Sequence, residues 1–177
     1  MTYKTSTDKF AKVTTAIITI LFALFIFGQI LLITVEVKPV EIITVFLLAL
    51  TYLAIYAYRP INYELNEDEL IIHRLISDIK ISSAEIKSMQ LLDKEKLSGS
   101  WRILGVEGLF GYWGKFTNRK IGTMTWYNTR MNNYVLVTTI FDKYIILTPD
   151  EPGLLVKHFN VYESQKNGIT GKKFVYN

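Results

Sequence analysis

The sequence contains no cysteine, which excludes disulfides, thiol nucleophiles and every thiolate-ligated metal. With only two histidines, His73 and His158, no histidine-rich metal centre is expected. Charge is scarce as well: 20% of residues are Asp, Glu, Lys or Arg, against about 25% in ordinary soluble domains. The serines and threonines have no histidine–carboxylate pair near them to form a hydrolase triad. No cofactor is expected either. What the chain has instead is apolar surface: half of its 177 residues are hydrophobic and 14% aromatic, far too apolar for a disordered chain. Composition therefore favours a membrane or binding protein over an enzyme.

The apolar excess is concentrated near the start. Residues 13–35 run for 23 positions without a charge, and residues 42–58 add 17 more. As helices these would be about 34 Å and about 25 Å long, against a hydrocarbon core of about 30 Å. Arg59 can extend the shorter one by reaching to the headgroups. A cleaved signal peptide would have a shorter apolar run and small residues at a cut site, which Thr34-Val35-Glu36-Val37 does not offer. Neither run carries the polar stripe of a soluble amphipathic helix. The expected organisation is an N-terminal cytoplasmic segment 1–12, transmembrane helix 13–35, external connector 36–41, transmembrane helix 42–58, a domain over 59–164 and a flexible tail 165–177. Lys4, Lys9 and Lys12 precede the first helix and Arg59 follows the second, while the connector has Lys38 against Glu36 and Glu41. Positive residues stay on the cytoplasmic side, so both termini are expected there, in a multi-pass protein of the cell membrane.

From Arg59 onward the pattern changes to short alternating runs. This part holds all but four of the basic and all but three of the acidic residues, a net +3. Residues 62–65 and 69–74 read as a hairpin around Asn66-Glu67-Asp68. Strands follow over 78–82, 87–92, 101–106, 121–129 and 134–141. Asp142-Lys143 then turns the chain into 144–148, because aspartate tolerates the positive φ such a turn demands. Pro149-Asp150-Glu151-Pro152 starts a helix, with Asp150 as its cap and Leu154, Leu155, His158, Phe159 and Tyr162 along one face. Seven or so strands and one helix give a mainly-β barrel or open sheet capped by a C-terminal helix.

Gly108-Leu109-Phe110-Gly111-Tyr112-Trp113-Gly114, followed by Trp126-Tyr127-Asn128-Thr129 and by the strand exit Tyr144-Ile145-Ile146-Leu147-Thr148-Pro149-Asp150, resembles bacterial pleckstrin-homology (PH) domains that sit behind membrane helices. The resemblance covers roughly residues 60–163. It implies a two-helix transmembrane hairpin followed by a PH-like fold, and a binding or scaffolding role without catalytic residues. Phosphoinositide-binding PH domains hold basic residues around the first hairpin turn. Here that turn is Asn66-Glu67-Asp68-Glu69, and its carboxylates would repel a phosphorylated headgroup.

Gly105, Gly108, Gly111 and Gly114 recur every third residue. The spacing fits neither a phosphate loop nor a dinucleotide fingerprint. One reading is a sharply bent connection whose aromatics fold into the core. The other is an exposed contact surface of Phe110, Tyr112, Trp113, Lys115, Arg119 and Lys120, with Arg102 and Arg130 near in space. Aromatics would anchor a protein partner or a second copy, and the cations would orient it or lean on anionic lipid. A net +3 and a membrane tether argue against nucleic acid. An alternative role is an accessory subunit of a transport or channel complex, acting through Gly28, Gln29 and Thr51 on the helices.

Overall fold

Two helices dominate the first third of the chain. The computed structural model describes residues 1–35 and 39–171. Helix α1 spans Lys9–Val35 and α2 spans Pro39–Ala57. Both are long and apolar enough to cross a membrane, over Lys9–Leu31 and Pro39–Ala57. Each begins earlier than its apolar run. Asp8 Oδ1 accepts from Ala11 N at 2.8 Å and so caps α1, which carries the helix back through Lys9 and Lys12. Proline at the first position and Glu41 in the first turn start α2 inside the stretch expected to be connector. The rest of that connector, residues 36–38, lies outside the described residues. The helices pack side by side: Phe22 stacks on Tyr52 at 5.0 Å and Thr19 Oγ1 meets the Tyr52 hydroxyl at 2.6 Å. Phe22 and Tyr52 lie equally far from the connecting ends of their helices, as an antiparallel hairpin requires.

The rest is mainly β, in two sheets. One has the order β1-β2-β3-β4, built from Thr2–Lys4, Pro60–Leu65, Glu69–Arg74 and Ile79–Ser82. A 3-10 turn, Ser83–Glu85, leads to β5, Ile86–Leu92. After the short helix α3 (Lys94–Leu97) come β6 (Trp101–Glu107), β7 (Tyr112–Asn118), β8 (Gly122–Asn128), β9 (Tyr134–Thr139) and β10 (Tyr144–Leu147). The second sheet runs β5-β9-β10-β8-β7-β6, with β10 parallel to β8 and antiparallel to β9. Strand β9 alternates between two cores. Val135 and Val137 join Tyr63, Leu70, Ile72, Leu155 and Phe159 on one face. Tyr134 and Leu136 join Phe116, Trp126, Leu97 and Ala11 on the other. A strand covered on both faces needs apolar residues at every position, which is why Tyr134-Val135-Leu136-Val137 is solidly hydrophobic.

Helix α4 opens at Pro152 and runs to Gly171, past Gln165 where the sequence reading begins a flexible tail. Asp150, expected to cap it, has its Oδ1 bound to Ser6 N at 2.9 Å and Ser6 Oγ at 2.8 Å, and is paired with Arg130. The β9–β10 connection takes four residues rather than two, with Asp142 at φ 53° as that turn demanded.

The N-terminal segment is the largest departure from expectation. Residues 1–12 read as a simple lead-in, yet Thr2–Lys4 forms β1, pairing antiparallel with β2 through Tyr3↔Tyr63. Tyr3 is 6% exposed and packs into the first core. A chain of residues 59–171 alone should therefore be destabilised by more than about 3 kcal/mol, since it loses a buried aromatic and an edge strand. Joining residues 1–11 to Tyr58 through a short flexible linker should restore a cooperative melt in circular dichroism. Equal melting of the two chains would show that β1 contributes nothing.

Candidate functional site

The two apolar helices and the β domain meet at two clamps. The first is Asp8. Besides capping α1, it accepts from the Tyr112 hydroxyl at 3.2 Å (Oδ1) and 3.1 Å (Oδ2), and from Met131 N at 3.0 Å. Burial, then the charge of Asp8, pushes the Tyr112 phenol well above its usual range, so it stays a donor. The second clamp is the β6–β7 turn. Phe110 N donates to Thr15 Oγ1 at 2.9 Å, and Gly108 lies against Phe10 and Thr14. The Phe110 ring meets Tyr52 at 5.4 Å and Tyr56 at 5.2 Å, both edge-on, with the Arg59 guanidinium 5.7 Å from its centroid. Phe110 has φ 60°, unusual for a side chain of that size. The glycine-aromatic run thus seats the domain on the base of the helix pair.

Both readings of that run are partly realised. Tyr112, expected at a contact surface, lies in the core at 1% exposure. Trp113 is half-buried and Lys115 is exposed; alternation along β7 puts both on the strand's other face. Arg119 and Lys120 are exposed at the far end of β7, roughly 20 Å from Tyr112 along an extended strand. The Lys120 ammonium donates to Glu95 O at 2.6 Å. Arg130, at the opposite end of β8 from that turn, is bound to Ser6 and Asp150. The six residues expected to form one surface therefore occupy four places.

Gly105 and Gly114 face each other across the β6–β7 ladder. A Cβ on Gly105 would sit 2.1 Å from Trp113 O, and one on Gly114 2.3 Å from Leu104 O. These glycines permit backbone contact that no side chain allows, and β7 begins as a strand where the sequence reading has only a bent connection. On the free edge of the sheet, β6 exposes Trp101, Ile103 and Leu104 at 54%, 54% and 71%. The opposite edge strand, β5, is packed by α4. A bare, apolar edge strand is a template for pairing with another chain.

The two histidines are committed to structure. Both ring nitrogens of His73 face carboxylates, Asp78 Oδ2 at 2.8 Å and Glu64 Oε2 at 3.1 Å, an arrangement only the imidazolium satisfies at once. Partial burial disfavours that charge, but the hydrogen bonds to Glu64 and Asp78 and their charges outweigh it and raise His73 above its ordinary value. The Arg74 amide, against some desolvation and together with His73, holds Asp78 below the usual carboxylate range. A raised histidine stabilises the fold below its unfolded value of 6.5 and loses that contribution as pH climbs through its folded value. A depressed Asp78 stabilises above 3.8 and loses it as pH falls. His73→Gln should therefore destabilise most between those limits and least above the raised histidine value, measured as the pH dependence of the melting temperature; a pH-independent difference would contradict the ion triad. His158 Nδ1 shares a hydrogen bond with the Tyr3 hydroxyl. In the acidic first hairpin turn, Glu69 pairs with Lys80 at 3.1 Å.

Asp8, Thr15, Tyr52, Tyr56 and Arg59 are site residues that sequence reasoning did not single out as such. The cap position of Asp8 before a long apolar run left a local sign, as did the place of Arg59 at the end of the second run.

Residues 61–162 match a family model described as Bacterial PH domain. The match begins in β2 and ends in α4, so β1 and both apolar helices fall outside it. No curated protein and no solved structure matches the chain.

Proposed function

Since the chain belongs to the bacterial PH domain family, we propose that it is a membrane-anchored binding module that engages a protein partner through the open edge of β6 and carries out no catalysis. The helices cross the bilayer as a hairpin and hold the domain on the cytoplasmic face. Lys4, Lys9, Lys12 and Arg59 on the domain side support that orientation, as does the acidic balance of the connector. The observation that carries the binding role is the β6 edge itself. Among the described residues it pairs with no strand beyond β7, and it carries the exposed Trp101, Ile103 and Leu104, a combination suited to strand addition. Arg102, Lys115, Arg119 and Lys120 would steer an acidic partner toward it. Support for binding over catalysis comes from the histidines, since His73 has both nitrogens on carboxylates.

A photo-crosslinking residue at Ile103 tests this in native membranes. A discrete adduct is expected that Leu104→Lys abolishes and Lys143→Glu leaves intact. Adducts from Leu47 on α2 with none from position 103 would instead place the partner on the helices, as in a transport accessory.

A further inference from the structure

The turn between β3 and β4 carries two large apolar side chains in the open: Leu75 is 61% exposed and Ile76 51%. Single exposed leucines are ordinary. This pair, however, is placed by the membrane helix. The amides of Leu75 and Ile76 both donate to the carbonyl of Ala57, at 3.1 and 3.2 Å, and Ala57 is the last residue of α2. With 19 residues α2 is about 28 Å long, close to the hydrocarbon thickness of about 30 Å. If α2 spans, its end lies at the hydrocarbon boundary, and the turn lies there too.

The turn is also held in shape. Arg74 N donates to Asp78 Oδ1 at 3.0 Å, Arg74 Nε donates to Ser77 O at 2.7 Å, and Ser77 takes φ 60°. Two cations flank it. The Arg59 guanidinium lies 4.2 Å from the Tyr56 ring centroid, and that of Arg74 lies 5.2 Å from the Tyr58 centroid. Among the described residues neither forms an ion pair with a carboxylate. Asp78, the acid nearest Arg74 in sequence, already serves the Arg74 amide and His73. Apolar side chains at the boundary, with arginine and tyrosine beside them, match the chemistry of the headgroup layer: acyl chains below and phosphates above.

We infer that the β3–β4 turn is a lipid-binding wedge, in which Leu75 and Ile76 enter the bilayer beside α2 while Arg59 and Arg74 hold phospholipid phosphates. The inference rests on the membrane-spanning reading of α2. It also places lipid contact at the opposite end of the β2–β3 hairpin from the acidic turn at Asn66-Glu67-Asp68.

Because the chain has no cysteine, single cysteines can report depth in the full-length protein. A fluorophore would be placed at Ile76→Cys, at Asp68→Cys and at Leu47→Cys, in nanodiscs of phosphatidylcholine and phosphatidylglycerol containing spin-labelled lipid. Tryptophan emission matching the unsubstituted chain confirms that each variant is folded. Quenching at position 76 should exceed that at position 68 several-fold, and Arg59→Gln with Arg74→Gln should reduce it. Quenching at 76 no stronger than at 68, with 47 strongly quenched, overturns the wedge and leaves the spanning helix standing. Weak quenching at 47 overturns both. Undiminished quenching at 76 in the double arginine variant removes the phosphate contact from the proposal.

Discussion

Gly114→Ala should destabilise the full chain by about 4 kcal/mol or more, enough to unfold the β6–β7 hairpin in mild detergent. Two penalties combine. The backbone at Gly114 has φ 123°, where an L side chain is strained by roughly 1–3 kcal/mol. The added Cβ would also lie 2.3 Å from Leu104 O and 2.6 Å from Gly105 Cα. Neither obstacle is the movable end of a side chain, so the two strands must separate or shift register. Gly105→Ala should behave alike, because its Cβ meets Trp113 O at 2.1 Å. Gly153→Ala is the control. It lies in α4 with open space around it, and alanine there should be neutral or stabilising by about 0.5–1 kcal/mol. Denaturant unfolding followed by tryptophan emission measures all three, since Trp101 and Trp113 sit on the affected strands. A Gly114→Ala midpoint equal to that of Gly153→Ala would refute the close approach.

Asp8→Ala should cost about 3 kcal/mol and, unlike the glycine changes, should loosen the domain from the helix pair. Losing the cap of α1 costs about 1 kcal/mol. The Tyr112 hydroxyl and the Met131 amide then lack their acceptor, at about 1–3 kcal/mol each when water cannot replace it. Partial exposure of the Met131 side lowers the sum toward the smaller figure. Asp8→Asn should fall between Ala and the native residue, because one amide oxygen can still cap while the NH2 group confronts a donor. Hydrogen exchange separates the two effects. Amides of Ala11, Lys12 and Met131 should exchange faster in Asp8→Ala, while those of β9 hardly change. Uniform acceleration across the domain would mean that Asp8 acts on global stability alone.

Several elements were legible before the structure. Alternation over Glu69–Arg74 and the run Tyr144–Leu147 announce strands, and Pro152 announces a helix. Strand β1 was not legible, since three residues with one buried tyrosine give no periodicity and their partner lies sixty positions away. Strand β7 was hidden by glycine: Gly111 and Gly114 read as turn punctuation, and only the pairing of Gly105 with Gly114 shows why a strand tolerates them. The candidate surface failed as a unit for a related reason. Phe110 and Lys120 are neighbours in sequence, but an extended strand between them separates aromatics from cations. Leu75 and Ile76 carry no motif at all, and acquire meaning only from the carbonyl of Ala57.

Membrane-impermeant maleimide labelling of Thr2→Cys and Asp68→Cys in intact and lysed bacterial cells is the most direct test of a domain seated on one face of the bilayer by both flanks of a helix hairpin. Thr2 belongs to β1 and Asp68 to the β2–β3 turn, so both cysteines should be shielded in intact cells and should react after lysis. Labelling of either from outside would contradict the cytoplasmic placement, and opposite labelling of the two would contradict the shared β-sheet that joins the chain's start to its domain.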